Sequence, residues 1–207
     1  MITNEAATQA AYRETLAQVV QALRGTGDRD KPQRPPAAQV VEALLHAEKA
    51  TKYHRTTYPL AQLVGTWRLV FVAPRSAHQK AGVSQGRGWY VPTAIPAQIA
   101  FTADETDATT GAIANQIRLG GIQFRLTGPL KYPGKKNLLG FDFTQAEFSI
   151  LGKSLYRGNF TSGKRNGVPF AQQAIGKLPF FAFFVVTDDL IAARGRGGGL
   201  AIWLRVN

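Results

Sequence analysis

The spacing of the apolar residues changes once along this chain, at Trp67, and this change limits the folds that the chain can adopt. Before Trp67 the apolar residues recur at helical spacing; after it they alternate in short segments separated by glycine-rich turns. No later segment has a helical pattern long enough to connect two parallel strands, which favours antiparallel pairing. We therefore divide the chain into a helical segment at residues 1–62 and a β domain at residues 63–207.

Two amphipathic helices are predicted in the helical segment. The first ends at Gly25, and the second begins after Pro36 and continues to about Lys52. A helix with a single apolar face is not stable alone, so we expect both helices to dock on the β domain and cap it. The contacts are expected from the apolar stripes of the two helices, at Tyr12, Leu16, Val20, Val40, Leu44 and Leu45.

The β domain contains short segments in which every second residue is apolar. Eight to ten such strands in about 140 residues fit either an up-and-down barrel or a sandwich. The clearest strand-like segments are 67–71, 98–103, 112–119, 122–127, 141–143, 147–150, 180–186 and 200–206.

The charge of the chain is strongly positive and unevenly distributed. Lys and Arg number 25 and Asp and Glu 13, so the formal net charge is +12. Between Arg118 and Lys177 ten basic residues stand against Asp142 and Glu147. The positive charge is thus concentrated in the middle of the β domain. It indicates a polyanionic partner, either an anionic membrane surface or a nucleic acid. The charge alone does not distinguish between these two kinds of partner.

The residues that usually carry catalysis or hold metals are scarce. The chain has no cysteine, which excludes a disulfide framework, a thiolate metal site and a cysteine nucleophile. His46 and His54 lie eight residues apart without a third ligand nearby, so we predict no metal site. No motif of an enzyme is recognisable, and we predict no catalytic residues.

No segment approaches the roughly 18 to 20 consecutive apolar residues that a membrane-spanning helix needs, so no transmembrane segment is predicted. The first 23 residues include Glu5 and Glu14 and lack a continuous apolar stretch. They therefore predict neither a signal peptide nor a transit peptide.

Two segments at the ends of the β domain resemble a known family. Leu63–Phe71 contains Gly65-Thr66-Trp67 at the start of the first strand, and Asp189–Gly195 precedes a final apolar strand that begins at Gly199. In this order, after two helices, they are similar to the barrel start and the closing motif of the plastid lipid-associated protein (PAP)/fibrillin family. The segment 111–117, with Asn115 inside a strand, looks like the middle strand of that family. The resemblance covers nearly the whole chain, but only the two end motifs are specific.

The resemblance implies a fold, a function and a location. The fold is a lipocalin-like antiparallel β-barrel preceded by two helices. The function is non-catalytic binding or carriage of a lipid or an isoprenoid of the carotenoid or quinone type, without a cofactor. The location is the cytoplasm, the periphery of the thylakoid membrane or the lipid bodies of photosynthetic cells. Because plastid members begin with a transit peptide, the chain resembles a cyanobacterial member or the mature form of a plastid protein.

A barrel of this strand count encloses room for one small ligand. The phenylalanines of the predicted strands would supply an apolar wall for an acyl or prenyl chain. The alternative is that these side chains simply fill the core, which is the usual role of a phenylalanine in a strand. The residues concerned are Phe101, Phe124, Phe141, Phe143, Phe148 and Phe160.

The resemblance also implies how the barrel closes. In barrels with the Gly-x-Trp motif, the tryptophan lies at the closed end under an arginine from the final strand. The candidates here are Gly65 and Trp67 with either Arg205 or Arg194. We favour Arg205, because the first and last strands must pair to close the barrel. Arg194 is then expected at a hairpin or at the ligand mouth.

Two other functions remain open at this point. Lipocalin-like barrels include lyases that act on a bound bilin or other pigment. Alternatively, the positive charge and the basic residues next to aromatic ones, as in Lys131-Tyr132 and Tyr156-Arg157, fit a nucleic-acid-binding β protein. No recognised nucleic-acid-binding module matches the chain.

Overall fold

The computed structural model describes residues 2–24, 32–80, 83–134, 136–160 and 168–206. Its helices are α1 (Ile2–Arg24), α2 (Ala37–His54) and the single turn α3 (Leu60–Leu63). The strands are β1 (Gly65–Ala73), β2 (His78–Lys80), β3 (Val83–Gln85), β4 (Trp89–Tyr90), β5 (Ala97–Ala103), β6 (Thr110–Leu119), β7 (Ile122–Lys131), β8 (Leu138–Phe141), β9 (Gln145–Ile150), β10 (Lys153–Asn159), β11 (Phe180–Val186), β12 (Leu190–Gly195) and β13 (Leu200–Arg205). Two 3₁₀ turns, Phe170–Gln172 and Ile175–Lys177, precede β11.

Eight antiparallel strands form a closed barrel. Going around it, the order is β1, β5, β6, β7, β8, β11, β12 and β13, and β13 pairs with β1 again. Each barrel strand thus pairs with the next one along the chain, as in an up-and-down barrel. This confirms the predicted fold class, and it decides between the barrel and the sandwich.

The helices lie against the outer surface of the barrel. In β13 the side chain of Trp203 points into the interior, whereas Leu200, Ile202 and Leu204 belong to a second buried cluster outside the wall. The helices contribute Leu16, Val19, Val40, Val41, Leu44 and Leu45 to that cluster, and Tyr12 and Val20 pack against it. The helices thus dock on the β domain through the expected apolar stripes, and the surface they cover is the outer wall of the barrel. The reason is that β12 and β13 are apolar on both faces, so their outer face must also be covered.

A partly buried ion pair fixes α2 to the barrel. The Nη2 atom of Arg194 in β12 lies 2.6 Å from a carboxylate oxygen of Glu48, which is almost fully buried in α2. The same guanidinium donates a hydrogen bond of 2.5 Å to the Gly198 carbonyl in the β12–β13 turn. Burial alone raises the pKa of Glu48, but hydrogen bonds from Arg194 and Lys52 outweigh it and hold that pKa below its usual value. Arg194 therefore lies at the hairpin, as expected, but its main partner is a helix.

None of the described helices is long and apolar enough to cross a membrane. Gly25, where the sequence predicts the end of the first helix, lies outside the described residues; α1 is described as far as Arg24.

Candidate functional site

One end of the barrel is closed by Arg205 and Trp67. The guanidinium carbon of Arg205 lies 4.0 Å from the centre of the Trp67 ring. Its nitrogens donate to the carbonyls of Val64 at 2.9 Å and Gln62 at 3.2 Å, while the Trp67 indole donates to the Leu63 carbonyl at 2.7 Å. Arg205, and not Arg194, is thus the arginine over the tryptophan, as the sequence favoured. We call this the closed end.

Side chains occupy the barrel interior. Successive aromatic rings contact one another, with centroid separations of 5.1 Å for Phe141 and Phe181 and 5.5 Å for Phe181 and Trp203. Phe101 and Phe141, both predicted as part of a ligand wall, are buried among these rings. Their surroundings are those of core residues, so the alternative reading, in which these phenylalanines fill the core, describes them better.

The opposite end of the barrel is extended by a sheet that leaves the closed wall. Residues Leu130 and Lys131 of β7 pair with β8, but residues 122–127 pair instead with β9, and β9 pairs with β10. We call the four paired segments 114–119, 122–127, 145–150 and 153–159 the extension sheet. Ile113 lies at the level of the closed end, opposite Phe101. Leu119 is six residues farther along β6, roughly 20 Å away at about 3.3 Å per residue.

One face of the extension sheet is apolar, and it continues the interior face of the barrel. Residues directly opposite one another on paired strands share a face. The pairing places Ile117, Phe124, Phe148 and Tyr156 in one row across the four strands. The next row toward the turns consists of Leu119, Ile122, Ile150 and Lys153. We call the seven apolar side chains of these two rows the apolar face.

Much of this apolar face lies open to solvent. Phe124 is 41% exposed, Ile117 44% and Leu119 59%. Of the twelve large hydrophobic side chains that are exposed among the described residues, seven belong to the β6–β7 and β9–β10 hairpins. Packing within the described part of the chain therefore does not explain this surface.

The reverse face of the extension sheet is polar. Gln116, Arg125, Glu147 and Arg157 form its central row. An Arg157 nitrogen lies 3.0 Å from a Glu147 oxygen, and this hydrogen bond holds the pKa of Glu147 below its usual value. The two faces of one sheet thus differ sharply, as expected for a sheet with water on one side and an apolar contact on the other.

The rim of the open end supplies further apolar side chains. Leu69, Phe143, Phe181 and Ala201 are partly buried against the interior cluster. Trp89 pairs with Val72, which pairs in turn with Ala201, so the register places Trp89 on the interior face, where it is 54% exposed.

The structure separates the six predicted wall residues. Phe101 and Phe141 lie in the core, Phe143 lies at the rim 5.2 Å from Phe141, and Phe124 and Phe148 face each other on the extension sheet. Phe160 follows β10 and donates its backbone N–H to the Thr144 carbonyl.

Sequence reasoning missed Trp89, Ile117 and Leu119 as site residues. The last two carry a usable signal, because they continue the period-two alternation of β6 beyond the barrel.

A second apolar space lies outside the barrel, at the closed end. This groove has a volume of about 780 Å³ and runs between α1, α2 and the β11–β12 hairpin. The hydroxyls of Thr51 and Tyr58 both donate to the Phe184 carbonyl, at 2.7 and 3.2 Å, which ties the end of α2 and the loop after it to β11. Because these two hydroxyls bind the barrel strand, this part of the groove has the character of a seam between the helices and the barrel. Its apolar lining includes Tyr12, Leu16, Ala17 and Val20.

Fold and site together define a closed eight-stranded barrel whose interior surface continues onto an exposed apolar sheet. No protein-family model matches this chain, and no curated protein matches it. The PAP/fibrillin resemblance therefore stays a prediction based on the two end motifs.

Proposed function

We propose that this protein binds a lipid or an isoprenoid of the carotenoid or quinone type, without catalysis, at the open end of its barrel. The observation that carries the proposal is the continuity of the apolar face with the aromatic barrel interior. Because aromatic side chains fill that interior, the ligand lies against the rim and the apolar face. Phe124, Phe143, Phe148 and Trp89 are its expected contacts.

The energetic support for this proposal is the cost of the exposed apolar surface. Burying apolar surface yields about 25 cal/mol per Å², so a phenylalanine left in water forgoes part of that gain. An acyl or prenyl chain lying along Ile117, Phe124 and Phe148 recovers it. Large exposed apolar patches on monomeric proteins mark such binding sites or interaction surfaces.

The place of action follows from the resemblance alone. A member of the PAP/fibrillin family would act at the thylakoid membrane or at lipid bodies, in a cyanobacterium or a plastid. This part of the proposal also accounts for a positive β domain, since those membranes offer anionic surfaces.

Titration with a short-chain isoprenoid quinone tests the binding function. Quinones quench tryptophan fluorescence, and Trp89 lies at the proposed site. We expect saturable quenching, with binding about tenfold weaker in Phe124→Gln, because the apolar contact is lost. The matched control is Arg125→Gln: the same replacement at the next residue, on the polar face, should leave binding unchanged.

The groove beside α1 is the alternative ligand-binding site to the open end of the barrel. Ala17→Phe fills part of the groove, because Ala17 is an exposed residue of its lining. If Ala17→Phe weakens quinone binding while Phe124→Gln does not, the ligand occupies the groove and the open-end site is wrong.

The other functions are tested with the same wild-type protein. Absence of quinone binding, together with tight binding of a DNA duplex at physiological salt, would favour the nucleic-acid-binding alternative. Chemical conversion of an added bilin would favour the lyase.

A further inference from the structure

We propose that the tip of the extension sheet inserts into the surface of an anionic lipid bilayer. The tip consists of the β6–β7 turn and the β9–β10 turn with the residues flanking them, from Arg118 to Ile122 and from Ile150 to Leu155. The proposal deepens the proposed function, since it gives the open end a membrane from which to take its ligand, but it is tested separately.

The strongest observation is the residue at the β9–β10 turn. Ile150 pairs with Lys153, so the turn consists of Leu151 and Gly152, with φ angles of 47° and 78°. A two-residue turn with both φ angles positive favours Asn-Gly, because a bulky side chain is strained there. Leu151 nevertheless occupies the first position, and it is 82% exposed. Neither the backbone conformation nor solubility in water favours a leucine at this place, whereas a lipid contact does.

The two turns form one compact apolar end. The Leu151 backbone N–H donates to the Gly121 carbonyl at 2.7 Å, so the turns lie side by side. The Leu151 side chain also approaches Gly121 so closely that a Cβ atom there would lie 2.6 Å from it. Leu119 and Ile122 flank the β6–β7 turn, Leu155 follows the β9–β10 turn in β10, and all three are exposed. Leucine side chains at the turns of a protruding sheet thus form an end suited to shallow insertion.

The charges near the tip favour an anionic surface. Within the described extension sheet the basic residues are Arg118, Arg125, Lys153 and Arg157, and the acidic residue is Glu147, which is paired with Arg157. Arg118 lies one residue behind Leu119, and Lys153 lies behind Leu151, level with Leu119 and Ile122. This order, with apolar residues first and cations behind them, matches the acyl region and the phosphate level of an anionic bilayer.

A second copy of the chain fits this surface less well. Among the described residues β10 pairs with β9 alone, so its other edge is unpaired there, and such an edge can bind another strand. However, the register shifts between Ser154 and Tyr156, and Lys153 and Arg157 are exposed on the same strand. Bulges and charged residues are the features that prevent edge-to-edge pairing. We therefore commit to a lipid surface as the occupant.

The strand pairing also places the ligand site behind the membrane tip along the extension sheet. With the tip in the membrane, the row at Leu119 and Ile122 lies nearest to the lipid, and the row at Ile117 and Phe124 follows about 7 Å behind it. The barrel rim comes next. The apolar face then forms a continuous path from the bilayer to the open end.

A site-specific fluorescent label tests the insertion directly. The chain has no cysteine, so Leu151→Cys carries a single environment-sensitive nitrobenzoxadiazole label. With phosphatidylcholine vesicles containing about 30% phosphatidylglycerol, we expect its emission to shift to shorter wavelength, and the shift to shrink with salt. The control is Glu105→Cys, an exposed position in the β5–β6 turn at the closed end, where no shift is expected. No shift at position 151, equal shifts at both positions, or a shift at position 151 caused by self-association or duplex DNA without vesicles would overturn the proposal.

A second variant separates the membrane tip from the ligand site. Leu151→Glu should bind the same vesicles at least about tenfold more weakly. The isoprenoid quinone should still quench the tryptophan fluorescence of this variant as it does in the wild type. It should fold normally, because the side chain is almost fully exposed. Unchanged vesicle binding by Leu151→Glu would overturn the tip and leave the ligand proposal intact. Vesicle binding by a wild-type protein that binds no quinone would overturn the ligand proposal alone.

Discussion

Arg205 in the last barrel strand covers Trp67 in the first one, with 4.0 Å between its guanidinium carbon and the ring centre. The two residues are also direct partners in the β1–β13 pairing. The same guanidinium donates hydrogen bonds to the carbonyls of Gln62, Val64 and Asp188. One side chain thus joins the segment that enters the barrel, the seam where it closes and the turn before β12.

A double-mutant cycle measures this contact. We expect Trp67→Phe and Arg205→Lys to couple by at least about 0.5 kcal/mol, because a guanidinium over an indole gains roughly 0.5 to 2 kcal/mol. Urea denaturation of the wild type, the single variants and the double variant gives the coupling. Additive losses would show that the two side chains act independently, and coupling of Trp67 with Arg194 instead would contradict the observed geometry.

Gly65 is expected to tolerate no larger residue. Its φ angle is +130°, and a Cβ atom there would lie 2.4 Å from an Arg205 nitrogen. Gly65→Ala should therefore lower the free energy of unfolding by about 2 kcal/mol, through backbone strain and displacement of the guanidinium. Gly176→Ala is the control, because nothing lies within 4 Å of its added methyl group. Equal losses for the two variants would show that Gly65 has no special role.

Replacing the phenylalanines of the predicted ligand wall should lower the free energy of unfolding by different amounts, depending on whether each one is buried or exposed. Phe101 is buried in the barrel, so Phe101→Ala should lower the free energy of unfolding by about 3 to 5 kcal/mol. Phe124 is partly exposed, and Phe124→Ala should cost less than about 1 kcal/mol while it weakens quinone binding. Thermal and urea denaturation without ligand check both values. A small loss for Phe101→Ala would mean that the interior is not tightly packed.

The ion pair between Glu48 and Arg194 should make stability depend on pH. Because the pKa of Glu48 is lowered in the folded state, the unfolded state binds more protons around that pKa, and the pair stabilises the fold at higher pH. Glu48→Gln leaves a half-buried arginine without its charged partner and should cost about 1 to 2 kcal/mol at neutral pH, less than for a fully buried pair. The difference between wild type and Glu48→Gln should shrink as the pH falls below about 4.3, the usual value for glutamate.

The control for this pH dependence is Glu105→Gln, in an exposed turn, whose stability should follow the wild type throughout. A difference between wild type and Glu48→Gln that stays constant from neutral to acid pH would show that the carboxylate charge does not stabilise the fold.

Some strands could not be recognised from the sequence for identifiable reasons. In β10 the adjacent apolar residues Leu155 and Tyr156 break the alternation of apolar and polar residues, and the register shifts at this point. β12 is short and apolar on both faces, so it shows no period of two. β7 was recognised, but its continuation to Lys131 runs through Gly128 and Pro129, which usually end strands.

The sequence by itself determined the change from helices to strands at Trp67, the strands at 98–103, 112–119 and 122–127, and, once the resemblance had placed an arginine over Trp67, the choice of Arg205 over Arg194. These features depend on local periodicity and on the requirement that the first and last strands of a barrel meet. Only the tertiary structure decided that the helices cover the outer wall, that Arg194 binds Glu48, and that β7 changes partner from β8 to β9. That change of partner separates Phe101 in the core from Phe124 on an open face. Both residues stand in short strand segments with an isoleucine two positions before them, and the position of the next strand determines which of them water can reach.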